Sequence, residues 1–190
     1  MQWLLTKHYR KISGYQIYAK EISKTENLDE RNFTFGETTP LTVKLLLQEI
    51  SPQKGSIVYD LGCGRGIFLF SAYFIFALRG VGIELFDTYV RKSREIAKKL
   101  KTAGLIFKQG NITEADLADA DIVYFAATSF QADVVEKVTQ NLNGTKPGTI
   151  IITVHKPLEG ENFVLFNEGS FPFSWGTDYV YFYKRKNSLI

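Results

Sequence analysis

The 190-residue sequence has little cysteine, little histidine and almost no excess charge of either sign. Its single cysteine cannot form an internal disulfide, which excludes a small secreted domain stabilised by disulfides. Together with two histidines it also cannot supply the four ligands of a typical zinc site, so we expect no metal. The formal net charge of +3 gives no strong indication of nucleic acid. Because 45% of the residues are hydrophobic, the chain can form a core, and a disordered protein is excluded.

No hydrophobic run is long enough to cross a bilayer. The longest run, residues 67–78, falls short of the roughly 18–20 residues that a spanning helix needs. It lies between Gly66 and Gly80, and we expect a helix that is buried on most sides. The N-terminus shows no cleavable signal peptide, because the apolar residues 3–5 are few and basic residues follow them. These observations predict a cytoplasmic protein without a transmembrane segment.

Residues 1–33 differ in composition from the rest of the chain, since they are rich in tyrosine, lysine and glutamate. Apolar residues recur there at helical spacing. They are Leu5, Tyr9, Ile12, Tyr15, Ala19 and Ile22. We predict an N-terminal helical arm over residues 1–33 that packs on, or gates, a domain formed by residues 34–190. Contact of this basic amphipathic arm with a membrane surface is the alternative.

Strand-like and helix-like segments alternate through the middle of the chain. The predicted strands are residues 56–61, 80–85, 105–109, 121–125 and 149–154, and the predicted helices are residues 40–50, 67–78, 88–101 and 132–142. Apolar strands separated by helices are typical of a parallel sheet that is covered on both faces. Two further strands near residues 162–167 and 179–184, with no long helix between them, predict an antiparallel hairpin at one edge. The expected fold is therefore α/β and doubly wound, with a mostly parallel seven-stranded sheet.

A glycine-rich turn joins the first predicted strand to the helix that follows. Gly62, Gly64 and Gly66 alternate with other residues, and Asp60 precedes the first of them by two positions. Glycines let the backbone approach a ligand, and the helix N-terminus offers free N–H groups. A carboxylate at this place would oppose a pyrophosphate but suits a cationic or amino-bearing ligand. The alternative is that these residues form only a tight turn.

One polar residue lies at the end of the second predicted strand, and another follows the third. Glu84 lies about 20 residues beyond the turn, where an acid can accept hydrogen bonds from both ribose hydroxyls. Asn111 follows the third strand, and its side chain can both donate to and accept from an adenine edge. S-adenosylmethionine carries a ribose, an adenine, a sulfonium and an α-amino group but no phosphate. It therefore fits the turn and both polar residues, whereas an exposed strand end is the alternative for Glu84.

Residues 60–66, with the sequence DLGCGRG, resemble the first motif of class I S-adenosylmethionine-dependent methyltransferases. Residues 82–85, GIEL, resemble their ribose-binding segment. The FGET loop at residues 35–38 resembles that of the non-SET (disruptor-of-telomeric-silencing type) histone lysine methyltransferases. The HKP segment at residues 155–157 resembles their S-K-P segment. The resemblance therefore covers residues 35–157. A comparable G-V-G-x-E-L segment also occurs in the small lysine methyltransferases that modify an ATP synthase subunit.

This resemblance implies S-adenosylmethionine as the cofactor and a protein lysine as the acceptor that is N-methylated. Together with the residues above, it gives a set of expected cofactor-binding positions. They are Phe35, Glu37, Thr38, Asp60, Gly62, Cys63, Gly64, Gly66, Glu84, Leu85, Asn111, Ile112 and Ala126. Glu37 is expected to close over the cofactor, with a surface acid before a helix as the alternative. Cys63 is expected to fill space inside the turn and not to act as a nucleophile.

One segment departs from the histone enzymes, in which the fourth strand ends in Asn-Asn-Phe beside the lysine channel. Residues 125–130 read FAATSF and contain neither asparagine. Thr128 and Ser129 are expected at the carboxyl end of that strand, where a hydroxyl could bond the nucleophile or cap the next helix. We name these two residues and Trp175 as catalytic candidates. Trp175 would help to form an apolar channel that favours the neutral lysine amine.

Other aromatic residues could complete such a channel, or could belong to the core. They are Phe35, Phe130, Tyr181 and Tyr183. Three alternatives to a protein acceptor stay open at this point. The acceptor could be a small molecule or lipid, or the protein could bind the cofactor without catalysis. A nucleic-acid-modifying enzyme would use the basic residues 91–101, which are otherwise a solvated helix face, but the sequence lacks the N-P-P-Y-type segment expected for base methylation.

Overall fold

The computed structural model describes residues 36–187. The predicted arm at residues 1–33 and the site candidate Phe35 lie outside this range and stay predictions. The described helices are α1 (Pro40–Ile50), α2 (Ile67–Phe76), α3 (Asp87–Leu100) and α4 (Ala132–Leu142). The strands are β1 (Ile57–Leu61), β2 (Arg79–Glu84), β3 (Leu105–Gln109), β4 (Ile122–Ala126), β5 (Ile150–Val154), β6 (Phe163–Phe173) and β7 (Gly176–Arg185). A short 3-10 helix, Ile112–Glu114, follows β3.

All seven strands form one sheet in the order β3-β2-β1-β4-β5-β7-β6. Strands β1 to β5 pair in parallel, and β7 pairs antiparallel with both β5 and β6. The predicted doubly wound α/β fold with an antiparallel edge hairpin is therefore confirmed. None of the helices within the described range is both long and apolar enough to cross a membrane.

The edge hairpin is longer than the sequence pattern predicts. Strand β6 continues beyond residue 167 through Gly169 and Pro172, which are residue types that weaken a strand assignment. It can do so because β6 is the outermost strand, where a proline takes no hydrogen bond away from a neighbour on the open side. Pairing with β7 thus extends the strand past the point where local propensity ends it.

The core has one layer on each face of the sheet. Helices α1, α2 and α3 cover one face, where Leu46, Leu69 and Val90 are fully buried. Helix α4 covers the other face, where Val138 and Leu142 are fully buried. Helix α2 is buried only in its first half, since Phe74 is 48% exposed near its end. The expectation that this helix is buried on most sides therefore holds only for its first half.

The topology brings the carboxyl ends of three strands together. Strand β1 lies between β2 and β4 and is parallel to both. The chain winds outward in one direction through β2 and β3 and in the other through β4 and β5. Ligands of open α/β sheets bind at such a point, just beyond the carboxyl ends of the strands. The segments that follow β1, β2 and β4 therefore meet where this type of sheet binds its ligands.

Candidate functional site

A cavity of about 360 Å³ lies beyond the carboxyl ends of β1, β2 and β4. Small-molecule sites commonly have volumes of roughly 300–1,000 Å³. The residues expected from the sequence that line it are Glu37, Thr38, Asp60, Gly62, Cys63, Gly64, Glu84, Leu85, Asn111, Ile112, Ala126, Thr128, Ser129 and Trp175. Gly66 does not line the cavity. The structure therefore collects nearly all of the described candidates around one space.

The turn that follows β1 depends on glycine for its backbone conformation. Gly62, Gly64 and Gly66 all have positive φ angles, of 83°, 48° and 71°. The N–H groups of Gly62 and Cys63 both donate to the carbonyl oxygen of Ile83, which joins the turn to the end of β2. A Cβ atom on Gly66 would lie 2.7 Å from the Phe107 ring. Gly66 thus allows close packing behind the cavity, while Gly62 and Gly64 form its wall.

The Glu84 carboxylate is fixed by main-chain donors on both sides. Its Oε2 accepts a hydrogen bond from the N–H of Gly64 at 2.9 Å, and its Oε1 accepts one from the N–H of Phe86 at 2.9 Å. The side chain is buried, and burial raises its pKa although these backbone hydrogen bonds act in the opposite direction. Glu84 is therefore a buried, oriented acceptor and not the exposed strand end of the alternative interpretation.

Asp60 is buried at the same wall but is held very differently. Within residues 36–187, no side chain or main-chain group donates a hydrogen bond to its carboxyl group, which is 4% exposed. Burial, followed by the charge of Glu84, raises the pKa of Asp60 to about 8. A buried carboxyl group without a partner is costly. A cationic ligand group in the cavity would supply the partner that the described residues do not.

Cys63 packs inside the turn, as expected from the sequence. A Cβ atom on Gly82 would lie 2.5 Å from its Sγ atom, so the thiol occupies the space that a side chain in β2 would need. Burial, and then the charges of Asp60 and Glu84, raise the pKa of the thiol well above its ordinary value. Because the thiolate is the nucleophilic form, this environment fits a packing residue.

The segment before α1 reaches over the turn. Glu37 receives hydrogen bonds from both Nε and Nη2 of Arg65, which lies between two of the turn glycines. The Glu37 main chain also pairs with Ser174, through Glu37 N–H to Ser174 Oγ at 2.8 Å and Ser174 N–H to Glu37 carbonyl oxygen at 3.2 Å. The next residue, Thr38, shares a buried hydrogen bond with the hydroxyl of Tyr124 at 2.5 Å. Glu37 is thus tied to other segments and is not a free surface acid.

Aromatic and hydroxyl side chains line another part of the cavity. Thr128, Ser129 and Phe130 follow β4. Gln131, and not Thr128 or Ser129, occupies the N-cap position of α4, and its side chain makes no capping hydrogen bond. Trp175 is 38% exposed, stacks on Phe173 with ring centroids 4.5 Å apart, and donates from Nε1 to Asp178 at 3.1 Å. Trp175 is the most exposed of these four side chains.

Two of the proposed channel aromatics lie elsewhere. Tyr183 is buried in the core layer under α4, and its hydroxyl accepts a hydrogen bond from the N–H of Leu158 at 3.0 Å. Tyr181 packs against the same layer. The alternative assignment to the core is therefore correct for both, while Phe130 and Trp175 line the cavity.

Residues 52–169 match a protein family described as "Methyltransferase domain", and this range covers more than half of the chain. The chain belongs to the methyltransferase domain family. A protein-lysine N-methyltransferase from Saccharolobus islandicus (strain REY15A) is 30% identical to it over 128 residues, which are 66% of this chain and 78% of that protein. The family and the function class expected from the glycine turn are thereby confirmed.

Solved structures agree on the fold of this methyltransferase. An RNA methyltransferase from Salinibacter ruber in complex with S-adenosyl-L-homocysteine has a TM-score of 0.64 and 26% identity, covering 81% of this chain and 96% of that chain. TrmN from Thermus thermophilus has a TM-score of 0.69 over 82% of this chain and 51% of that chain. At 14% identity, TrmN shows only that the fold is shared.

The cofactor of this methyltransferase is S-adenosylmethionine. The described residues fit it in volume and in charge. The cavity presents a buried carboxyl group for a cation, Asp60, which has no hydrogen-bond donor among residues 36–187, and a fixed carboxylate, Glu84, for hydroxyl donors. Arg65 is the only cationic side chain among the described residues that line it, and Arg65 is paired with Glu37. The described part of the cavity wall therefore presents no cluster of cations for a pyrophosphate.

Arg65 and Tyr124 are two of the cavity-lining residues that sequence reasoning missed. Arg65 lies between Gly64 and Gly66 in the glycine motif, and its position in a ligand-binding turn is the signal that could have identified it. Tyr124 lies within the apolar run of β4, stacks on Phe68 with ring centroids 4.1 Å apart, and lines the cavity. A tyrosine buried in a core strand usually bonds its hydroxyl to a partner, but the partner, Thr38, is distant in sequence. No local pattern identifies that pair.

Proposed function

We propose that this enzyme transfers the methyl group of S-adenosylmethionine to the side-chain nitrogen of a protein lysine. The observation that supports lysine as the acceptor is the 30% identity to a protein-lysine N-methyltransferase over 78% of that relative. The cavity supports it, because its aromatic part is suited to a long side chain that ends in a small nitrogen group. This part, formed by Thr128, Ser129, Phe130 and Trp175, is named the acceptor side below.

The cofactor side consists of the glycine turn with Asp60 and Glu84. Asp60 would receive the α-amino group, since a cation supplies the partner that residues 36–187 do not give to this buried carboxyl group. Glu84 would accept the ribose hydroxyls with the capacity that its two main-chain hydrogen bonds leave. Leu85, Ile112 and Ala126 would contact the adenosine through apolar surface. When bound, S-adenosylmethionine supplies a methyl group activated by the positive sulfonium.

Asn111 and Glu37 would have narrower roles than the sequence suggests. The Asn111 Oδ1 atom already accepts a hydrogen bond from the N–H of Thr113 at 3.0 Å, so the side chain would offer its amide N–H groups to the adenine. The carboxylate of Glu37 is paired with Arg65. Glu37 would therefore cover the cofactor without forming an ion pair with it. Both roles follow from the partners that the structure gives these side chains.

The acceptor side would prepare the lysine for attack. A free lysine amine has a pKa of about 10.4 and is charged at neutral pH. Burial beside Phe130 and Trp175 removes water from the ammonium group and favours the neutral amine. A hydroxyl oxygen of Thr128 or Ser129 can accept a hydrogen bond from that amine and orient its lone pair. Positioning of this kind contributes several kcal/mol to catalysis without a dedicated base.

The test is transfer of isotopically labelled methyl from S-adenosylmethionine into a cell extract, followed by separation of protein, nucleic acid and small-molecule fractions. We expect label in protein, in tryptic peptides with mass increments of methyl groups on lysine. Glu84→Gln, which removes the carboxylate proposed to accept the ribose hydroxyls, serves as the inactive control, and Glu95→Gln, on an exposed helix position, serves as the matched active control. Label confined to the small-molecule or lipid fraction would overturn the lysine assignment. Tight S-adenosylhomocysteine binding without transfer to any fraction would indicate a binding module.

A second candidate acceptor is RNA, and one specific observation favours it. An open groove of about 560 Å³ between α3 and β3 is lined by four cations, Arg94, Lys98, Lys101 and Lys108, and by no acid. Such a groove suits a phosphate backbone, and the Salinibacter ruber structure is of an RNA methyltransferase. Label that is released by ribonuclease but not by protease, with binding that weakens steeply as salt rises, would establish this candidate in place of the lysine.

A further inference from the structure

Three segments that are far apart in the sequence meet at the cavity. They are the loop at residues 36–38, the glycine turn at residues 62–66 and the hairpin turn at Ser174 and Trp175. The loop and the hairpin turn share two hydrogen bonds between Glu37 and Ser174. The Trp175 ring lies directly on Gly36, where a Cβ atom would be 2.5 Å from the ring. The loop is therefore held on its hairpin side by main-chain pairing and ring packing.

On the side of the glycine turn, the loop is held by one side chain. Arg65 donates from Nε and Nη2 to the two carboxylate oxygens of Glu37. Both side chains are largely covered, with exposures of 18% for Arg65 and 21% for Glu37. A planar guanidinium and a carboxylate in this two-point arrangement form a stronger and more directional pair than an exposed ion pair. Because both residues line the cavity, the pair joins two parts of its wall.

We propose that Arg65 is a positioning residue that holds the 36–38 loop closed against the glycine turn and so slows dissociation of the cofactor. The inference rests on the proposed function in that the cofactor must occupy this cavity. Arg65 is part of the turn, and its side chain is the described connection from the turn to Glu37. For the loop to move away from the turn, the two hydrogen bonds of this ion pair must break. The pair therefore acts as the closing contact of the cofactor site.

A simple charge effect predicts a different pattern, which makes the inference testable. Removing the positive charge of Arg65 makes the charge of the cavity lining more negative, and removing the negative charge of Glu37 makes it less negative. If only charge mattered, Arg65→Gln and Glu37→Gln would change the affinity for a cationic ligand in opposite directions. If closure matters, both variants lose the same contact and change the dissociation rate in the same direction.

The experiment measures the dissociation rate and Kd of S-adenosylmethionine, which carries the cationic sulfonium, and of S-adenosylhomocysteine, which does not, for the wild type, Arg65→Gln, Glu37→Gln and the double variant. Each single variant is expected to release the ligand about tenfold faster, the size expected for losing a charge-assisted pair. The double variant should be no faster than either single variant, because one contact cannot be lost twice. Arg65→Lys, which keeps the charge but not the two-point geometry, should fall between wild type and Arg65→Gln.

Arg91→Gln is the matched control, since Arg91 forms an exposed ion pair with Asp87 on α3 away from the cavity lining. It should release the ligand at the wild-type rate, and thermal unfolding of every variant verifies that the fold is intact. Opposite effects of the two single variants, additive effects in the double variant, or unchanged dissociation would overturn the closing role of Arg65. A wild type that does not bind S-adenosylhomocysteine would instead refute the cofactor site itself, so the two failures are distinguishable.

Discussion

Glu84 and Trp175 line the same cavity but are held in place by different kinds of contact. Glu84 is 7% exposed and receives two main-chain hydrogen bonds, whereas Trp175 is 38% exposed and has a stacked neighbour and one side-chain hydrogen bond. On the cofactor side, the Glu84 carboxylate is thus fixed by the backbone of two turns. The acceptor side relies on side chains from the segment that follows β4 and from the β6–β7 hairpin. We infer that the cofactor side fixes the reaction type and that the acceptor side determines what is methylated.

Glu84→Gln should have the largest effect of any cofactor-side variant. The amide retains one acceptor oxygen but turns an NH₂ group toward one of two main-chain donors, from Gly64 and Phe86. Hydrogen bonds to charged groups contribute about 1.5–3 kcal/mol each, so we expect affinity for S-adenosylhomocysteine to fall by about 100-fold or more. Calorimetric titration measures it, with Glu95→Gln as the control. A loss below threefold would contradict the assignment of a binding role to Glu84.

Asp60→Asn should weaken binding less and should also change its pH dependence. The pKa of Asp60 is raised to about 8 in the free protein, so the group is mostly protonated at pH 7. A cationic amino group favours the carboxylate, and binding should therefore release a proton. The Kd of the wild type should then fall as pH rises toward 8, by up to about tenfold per pH unit, while Asp60→Asn should lack this contribution.

Titration calorimetry in two buffers with different ionisation enthalpies measures the released proton directly. S-adenosylhomocysteine also carries an amino group, so the informative quantity is the difference between wild type and Asp60→Asn. Equal proton release in the two proteins would show that Asp60 does not ionise when the ligand binds. That result would leave the buried carboxyl group without the cationic partner proposed for it.

The same carboxyl group should affect stability in the opposite sense to its effect on binding. Its folded pKa of about 8 lies above the ordinary value of 3.8, so the folded state holds a proton that the unfolded state releases between these values. The free energy of unfolding of the wild type should consequently fall, through this group, as pH rises from about 4 to 8. Asp60→Asn does not titrate and should be more stable than wild type at pH 7.5, by a margin that shrinks at pH 5. Urea denaturation at the two pH values measures it, and a margin that grows at pH 5 would contradict the assigned pKa shift.

Thr128→Val and Ser129→Ala should distinguish the acceptor side from the cofactor side. Each removes a hydroxyl group with little change in shape, and we expect kcat to fall by about tenfold for the residue that bonds the amine. The Kd of S-adenosylhomocysteine should stay within twofold of wild type for both. A parallel loss of cofactor affinity would mean that the two sides do not act independently.

The sequence predicts those features of the fold that depend on interactions between residues close together in the chain. Helix α1, strand β3 and helix α4 begin and end where the sequence pattern places them, because apolar periodicity and turn residues decide such boundaries locally. The hairpin strands do not, since pairing between β6 and β7 overrides the local effect of Gly169 and Pro172. The fold class can be predicted from the sequence for the same reason as the boundaries of α1, whereas the lengths of β6 and β7 cannot.

The same distinction applies to the site. Asp60, Glu84 and the turn glycines lie on consecutive segments of one strand–helix–strand unit, so spacing alone identifies them. The contact between Glu37 and Ser174 joins residues 137 positions apart, and that between Thr38 and Tyr124 joins residues 86 positions apart. No periodicity or motif encodes such pairs. The roles proposed for individual residues therefore depend on contacts that only the three-dimensional arrangement reveals.

Asp178→Asn should have the smallest effect. The Asp178 carboxylate accepts hydrogen bonds from Trp175 Nε1 and His155 Nδ1, each at 3.1 Å. Partial burial acts to raise its pKa, but these bonds and one from the N–H of Tyr179 hold the pKa below its ordinary value. Asparagine keeps one oxygen acceptor but loses the charge, which weakens the support of Trp175 by roughly 0.5–1 kcal/mol. We therefore expect the KM for the acceptor to rise about two- to fivefold with no change in the Kd of S-adenosylhomocysteine. Asp133→Asn, at an exposed position of α4, is the control. A loss of cofactor affinity as large as the rise in acceptor KM would contradict this expectation and would assign Trp175 to the cofactor side. The route would be the packing of Trp175 on Gly36, which belongs to the loop that Arg65 holds.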